Sequence, residues 1–419
     1  MRIALLGLDE ECLAVAAEAL AAGVAVVAGH GRRGEQNQLA TVCPQATWES
    51  NWETLLVGKR IDAILISRSL PTLTVNDIGT PAERREEQLR RCMQEQIPLV
   101  VFPPVCRLDF GYELEVYRRD NRGIIIPWLP NWNHDAWNWL AEMLAEKSPL
   151  GKLEQFRWET NLSDRSRASV LQTFAQDIAI VRRLFGPIRT VTAAASHAET
   201  HYDPFAPRAN LPPLEQLGVQ LGVAGNEVVR WNVMPAQGET LGTITLLGSA
   251  GRAELKLHRD PSQWAGMLER GNDRQEIAWP QPASLWQEIS SAVSVVSNPR
   301  RDASTTVVFP EWLDLCRDLE AIEAIDRSLL KGRSVAVHAE ETSEEESFKG
   351  TMASAGCLVL LLVLLAFGGV LLVEGLQLPI RKFAIWRLWP VGLVVGILIF
   401  LGMQSLRAFV QKADAERER

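Results

Sequence analysis

The stretch LLGLDEEC, residues 5–12, decides how the first third of the chain is read. It begins as the end of a buried strand, turns at Gly7, and leads into ECLAVAAEALAAG, a helix of small residues. Strand, glycine turn and helix in that order make a cradle for phosphates, because a helix N-terminus offers free N–H groups and positive potential. Here Asp9, Glu10 and Glu11 stand where the phosphates would sit. The geometry is that of a nucleotide site; its chemistry argues against one.

Working outward, RIALLGL (2–8), VAVVA (24–28), DAILIS (62–67), PLVVFP (98–103) and GIIIPWL (123–129) are short, continuous apolar runs. Such runs suit strands buried on both faces. Helical patterns at 10–22, 81–95, 110–120 and 133–146 separate them. Strand and helix alternating through short links imply right-handed crossovers and a doubly wound parallel sheet. After PLGKL (149–153) the grammar changes. LEQFRWETNL alternates as a half-exposed strand, and a long helix over 166–185 ends at Gly186-Pro187. GVQLGVAGNEVVRWNVM folds back at Gly225-Asn226, and TITLLGSAGRAELKLH at Ser249–Gly251, both hairpin patterns. A helix over 311–330 and a short strand, SVAV, close this part, which reads as α+β with a mainly antiparallel open sheet. The Pro-rich segment 203–216 is read as a surface loop.

The 419 residues carry a net charge of −8, which speaks against a nucleic acid as partner. Six cysteines show no C-x-x-C pair, and the N-terminus lacks a secretory pattern, so the bulk of the chain is expected in the cytoplasm. Residues 339–350 form an acidic run with no apolar face, read as a solvated linker. Beyond it, 353–373 and 388–406 are uncharged and apolar, each about one hydrocarbon core long at ~1.5 Å per residue. They predict a transmembrane helical hairpin, with Trp386 and Trp389 at an interface and Gly392 and Gly396 as a close-contact motif. The expected organisation is therefore a nucleotide-type domain (1–148), an α+β domain (149–338), a linker (339–352), two spans (353–373 and 388–406) around a loop (374–387), and a charged tail (407–419). The expected location is a multi-pass membrane protein with its large domain in the cytoplasm and the bilayer contacted through 353–406.

Over residues 1–338 this order resembles the Gfo/Idh/MocA family, which includes glucose–fructose oxidoreductase and inositol dehydrogenase. The phrases that carry the resemblance are RIDAILIS leading on to IPLVVFPP, then SPLGKLEQFRWE, FAQDIAIVRRLFGPIRTVTA and EAIDRSLLKGRSVAV. The resemblance implies a Rossmann-like first domain, bound NAD or NADP, and oxidation or reduction of a sugar or cyclitol hydroxyl. It also marks four places to look for the machinery.

The phosphate loop G-x-G-x-x-G reads Gly7, Asp9 and Cys12, with only its first glycine kept. Asp9 is suited to cap the helix, and Glu10 and Glu11 to sit in its first turn, so the protein would fill its own anion site. The ribose-binding acid expected about twenty residues on is replaced by Gly29 or His30, although Arg32 and Arg33 would suit a 2′-phosphate. The family's Glu-Lys-Pro motif aligns with Phe102, Pro103 and Pro104, so Pro103 stands where a lysine would act. Its paired Asp and His align with Gln172 and Gln176, neutral amides that do not titrate.

No Tyr-x-x-x-Lys follows Tyr112, Tyr117 or Tyr202, and HAETH (197–201) is not a zinc motif, so no metal site is expected. PWLPNWNHDAWNW (127–139) offers Trp128, Trp132, His134, Asp135 and Trp137 as a surface for a ligand or partner, or as packing between domains. The expectation is a membrane-anchored, oxidoreductase-like pseudoenzyme that binds or scaffolds, without a cofactor, for a protein partner or a sugar-like ligand, in one or more copies. The alternatives are an active NAD(P)-dependent sugar or cyclitol dehydrogenase with atypical site residues, and a structural subunit of a membrane complex.

Overall fold

A computed structural model describes residues 1–57, 61–71, 80–103, 106–196, 213–225, 227–236, 238–279, 284–297 and 309–337, with Gly368 and Gly375. Residues 1–339 form one compact unit, and 340–419 a second.

Strands β1 (Arg2–Leu6), β2 (Ala25–His30), β3 (Thr47–Trp48), β4 (Ala63–Ile66), β5 (Leu99–Val101) and β6 (Ile125–Pro127) make a parallel sheet in the order β3-β2-β1-β4-β5-β6. The order reverses beside β1, which opens a crevice at the strands' carboxyl ends between β1 and β4. Every residue of β4 and β5 is buried, as the unbroken apolar runs require of strands covered on both faces. Helices α1 (Glu10–Ala21), α2 (Gln36–Val42), α3 (Pro81–Gln94), α4 (Leu108–Asn121) and α5 (Asp135–Leu144) supply the crossovers and the lead into the second sheet. Helix α2 and strand β3 are too short to leave a periodic signal in sequence.

The second sheet runs β14-β13-β12-β11-β7-β10-β9-β8-β15. Its strands are β7 (Leu153–Leu162), β8 (Ile188–Ser196), β9 (Gln216–Val223), β10 (Val228–Pro235), β11 (Thr240–Gly248), β12 (Gly251–His258), β13 (Ala265–Arg270), β14 (Asp273–Ala278) and β15 (Val335–Ala336). All neighbours pair antiparallel except β7 and β10. In β10, β11 and β12 buried residues alternate with more exposed ones, so one face packs and the other is open. Helices α6 (Arg167–Phe185) and α8 (Trp312–Lys331) cover the packed face. Arg182 on α6 holds Asp318 on α8 at 2.9 Å, and Asp318 is 3% exposed. Helix α7 (Leu285–Ser297) lies on α1, where Glu18 accepts hydrogen bonds from Ser284 Oγ (2.5 Å) and Trp286 N (3.1 Å) at the start of α7. The C-terminal part of the chain is thereby tied to the first sheet.

The expected transmembrane hairpin is corrected. No helix among the described residues is long and apolar enough to cross a membrane. The linker 339–352 and the stretches 353–373 and 388–406 lie outside the described residues, apart from Gly368. The fold of the described residues is therefore α/β with an α+β sheet behind it, and the multi-pass membrane placement with its cytoplasmic orientation is corrected with the hairpin. The physical reason is that the helices of the described residues, α3 and α8 among them, carry charged residues along their length, as helices packed on a sheet do.

The candidate site, a crevice held by two arginines

The turn after β1 needs its glycine. Gly7 has φ +80°, and a Cβ there would meet Ser67 Oγ at 2.3 Å and Arg85 Nη2 at 2.9 Å. Asp9 caps α1 as its side chain predicts: Oδ1 accepts from Cys12 N at 2.8 Å, and Glu10 and Glu11 occupy the first turn. The other oxygen, Oδ2, accepts from the backbone N–H of Arg68 at 2.9 Å. Cys12, at the third loop position, is fully buried, and burial drives its thiol well up from the ordinary range. It faces the core rather than a ligand.

Arg68 follows directly after β4, at the carboxyl end of the strand beside β1. Its Nη1 donates to Glu11 Oε1 at 2.8 Å, its Nη2 donates to Glu11 Oε2, and its Nε donates to the carbonyl of Pro103 at 2.9 Å. Gln176, on α6, turns its amide oxygen to accept from Nη1 (3.1 Å), Nε (3.3 Å) and Nη2 of the same guanidinium. Glu11, Pro103 and Gln176, which the family resemblance places in three separate parts of the machinery, thus meet on one side chain that is 12% exposed. Burial pushes the Glu11 carboxyl up against the opposing pull of Arg68.

Gln172 lies one turn earlier on α6 and is half-buried. Its neighbourhood holds one strongly shifted acid, Asp177, pushed up to about 7 by burial. Asp177 Oδ2 accepts from Thr160 Oγ1 (2.7 Å) and Trp231 Nε1 (2.8 Å), so this carboxyl is bound to the sheet, while Gln176 faces the crevice.

At the other end of the crevice, His30 closes β2. Its carbonyl accepts from Gly7 N at 2.7 Å, its Nδ1 lies 2.9 Å from the Glu49 carbonyl, and its ring stacks on Trp48. Burial lowers its pKa. His30, Arg32, Glu35, Ser69, Arg85 and Gln88 line a small cavity there of about 10 Å3, room for about one water. Arg85 is 1% exposed and donates to the carbonyls of Leu6 (3.3 Å) and Ser69 (2.5 Å).

Trp128, Trp132, His134 and Trp137 are all buried, and Asp135 is exposed. Trp128 packs on Phe102 at 4.8 Å between ring centroids. Trp137 packs on Trp158 and Trp264, and His134 lies 4.3 Å from Trp264 while its Nδ1 accepts from Ala136 N to cap α5. These rings join α5 to the second sheet. The HAETH stretch and residues 203–212 lie outside the described residues, and among the described residues no His, Cys, Asp and Glu group forms a metal cluster.

Arg68 and Arg85 carry the crevice's charge, yet neither belongs to a motif. The available signal was Arg68's position immediately after a buried strand at the sheet's switch point. Arg85 gave only a helical position one turn into α3.

Neither protein-family models nor curated proteins give a match to the chain. Solved structures do match it in fold. A Desulfitobacterium hafniense protein described as an NADPH-dependent oxidoreductase aligns over 80% of this chain and 97% of its own, at 12% identity and a TM-score of 0.64. KijD10, a 3-ketoreductase from Actinomadura kijaniata crystallised with TDP-benzene and NADP, aligns over 78% and 98% at 15% identity and 0.62. An oxidoreductase from Thermotoga maritima aligns over 80% and 98% at 16% identity and 0.59. At such identities the likeness is one of fold: the chain has an oxidoreductase-like fold, and KijD10, one of the proteins that share it, was solved with NADP bound. An expectation of no cofactor draws no support from that likeness.

Proposed function

We propose that this chain is an oxidoreductase-fold binding module whose crevice is closed by Arg68 at the end where a nicotinamide and a pyrophosphate would lie, and that it does not transfer hydride. One observation carries the reading: the Glu11, Pro103 and Gln176 contacts to a single guanidinium. A pyrophosphate entering at the α1 N-terminus would have to displace the Asp9 carboxylate from Cys12 N and would meet Glu10 and Glu11, which repel it. Hydride transfer to a carbonyl also needs a group that delivers or removes a proton. Pro103 and Gln176 offer none, and both oxygens of Glu11 are engaged by Arg68. The residues at this end do not fit a bound dinucleotide.

The test is fluorescence titration of the full chain with NADPH and NADH, using its 14 tryptophans as energy donors. The reading expects no binding in the micromolar range. Micromolar binding with turnover of a sugar or cyclitol would overturn it.

A second reading, an NADP-dependent sugar or cyclitol dehydrogenase with atypical site residues, is favoured by the other end of the crevice. There Arg32 and Arg85 supply cations where a 2′-phosphate would lie, and KijD10 shares the fold with NADP bound. Oxidation of NADPH by the purified chain with a panel of keto sugars separates the two readings.

A further inference from the structure

Helix α8 packs on α4 where α4 carries no side chain. Trp312 Nε1 donates to the carbonyl of Gly111 at 2.9 Å, and the bare glycine admits two sulfurs beside it. The place a Cβ on Gly111 would occupy lies 3.2 Å from Sγ of Cys316, on α8, and 3.8 Å from Sγ of Cys106, just before α4. The two cysteines are far apart in sequence, and no C-x-x-C pattern announces them.

Their exposure differs. Cys106 keeps part of its surface in solvent, whereas Cys12, Cys43, Cys92 and Cys316 are buried. Among the described cysteines, Cys106 is therefore the one an oxidant in solution meets first, with Cys316 behind it. A thiol at the edge of solvent, backed by a second thiol, can be oxidised and then resolved by its neighbour. Burial drives the Cys106 thiol well up from its ordinary range and pushes Cys316 up to about 12. Both stay protonated at neutral pH, so the pair resists trace oxidants and reacts faster as pH rises.

We infer that Cys106 and Cys316 form a reversible disulfide, a redox clasp that ties the segment between β5 and α4 to α8 and takes a low-molecular-weight disulfide as its oxidant. The Cys106 thiolate attacks one sulfur of that oxidant, whose own sulfur–sulfur bond breaks and releases one small thiol. The Cys316 thiolate then attacks the Cys106 sulfur and releases the second. Two protein thiols lose two electrons and two protons, and one small disulfide becomes two thiols. Closing the bond brings the sulfurs to ~2 Å, as each side chain turns toward the place where Gly111 has no Cβ. The clasped segment includes Pro103, whose carbonyl holds Arg68, and α8 carries Asp318, which holds α6 through Arg182. The clasp forms whether or not a dinucleotide enters the crevice.

Incubation of the full chain with oxidised glutathione, then alkylation and peptide mapping without reductant, tests it. The expected product is an intrachain link between the peptides of Cys106 and Cys316 that dithiothreitol reverses. Its rate of formation should rise about tenfold per pH unit from pH 7 to pH 9, because the reacting thiolate is scarce throughout that range. Cys316→Ala should stop at a glutathione adduct on Cys106, and Cys106→Ser, at the partly exposed position, should give no link. The linked chain should melt about 5 °C or more above the reduced chain, as a bond between distant positions requires. A link between other cysteines, a link that forms only in urea, or an adduct that persists on Cys106 in the unaltered chain overturns the pair. So does a rate that levels off near pH ~8.5, as for a surface thiol. A linked chain that melts no higher than the reduced one overturns the clasp, since a bond that only strains the fold ties nothing.

Discussion

Two arginines sit at opposite ends of one crevice, and they differ in their company rather than in their chemistry. Arg68 has a carboxylate across both terminal nitrogens, a carbonyl on Nε and an amide oxygen besides. Arg85 has two carbonyls and, among the described residues, no carboxylate. The first is neutralised from within the chain, so it fills space and joins elements. The second is left as uncompensated charge beside a cavity. The same guanidinium closes one end of the crevice and at the other is held by carbonyls alone. The counter-ion decides which.

The sharpest way to break this comparison is to disturb the turn that lies between the two. Gly7→Ala places a Cβ against Ser67 and Arg85 at φ +80°, and it should cost about 3 kcal/mol or more in urea unfolding. A loss below about 1 kcal/mol would mean that the turn relaxes and holds neither arginine in place.

Next in size is Arg68→Met. It strips Glu11 of its partner, and because Glu11 is 35% exposed the loss should be about 1–3 kcal/mol, less than for a fully buried pair. The double variant with Glu11→Gln should recover part of that loss. Strict additivity in the double-mutant cycle would show that the pair does not hold the crevice closed.

A pH experiment asks whether a proton near Gln176 serves the crevice or the sheet. The folded value of Asp177, about 7, lies above its ordinary 3.8. Between these values the folded chain holds a proton that the unfolded chain has lost, so stability falls as pH rises through that window. Asp177→Asn should flatten the fall, while Glu288, also pushed up to about 7 by burial, retains its share. A stability–pH curve between pH 4 and 7 that is unchanged in the variant would remove Asp177 from the sheet's accounting and return it to the crevice.

The smallest expected effect is that of Arg32→Ala. This side chain is exposed, and its removal should change stability by no more than about 0.5 kcal/mol. A larger loss of stability would make Arg32 a structural strut, and its contrast with Arg68 would disappear.

Much of this molecule is legible in its residues because local rules decide it. The buried runs at 2–8, 62–67 and 98–103 had to be inner strands, and the alternation in LEQFRWETNL had to be a strand with one open face. The hairpins at Gly225 and Ser249 follow from turn chemistry. Helix α7 and strands β13 and β14 escape the sequence reading, the strands because six residues of mixed polarity show no distinct period.

The sequence by itself determined the turn at Gly7 and the Asp9 cap. These are facts of residue type and near spacing, and the backbone enforces them within one turn of helix. Only the tertiary structure decided that Glu11, Pro103 and Gln176 converge on Arg68, and that Arg85, among the described residues, is left with carbonyls and no carboxylate. The reason is distance along the chain. Arg68 meets Glu11 across 57 positions and Pro103 across 35, and no local pattern reports which carboxylates a guanidinium will reach, or miss, once the sheets have packed.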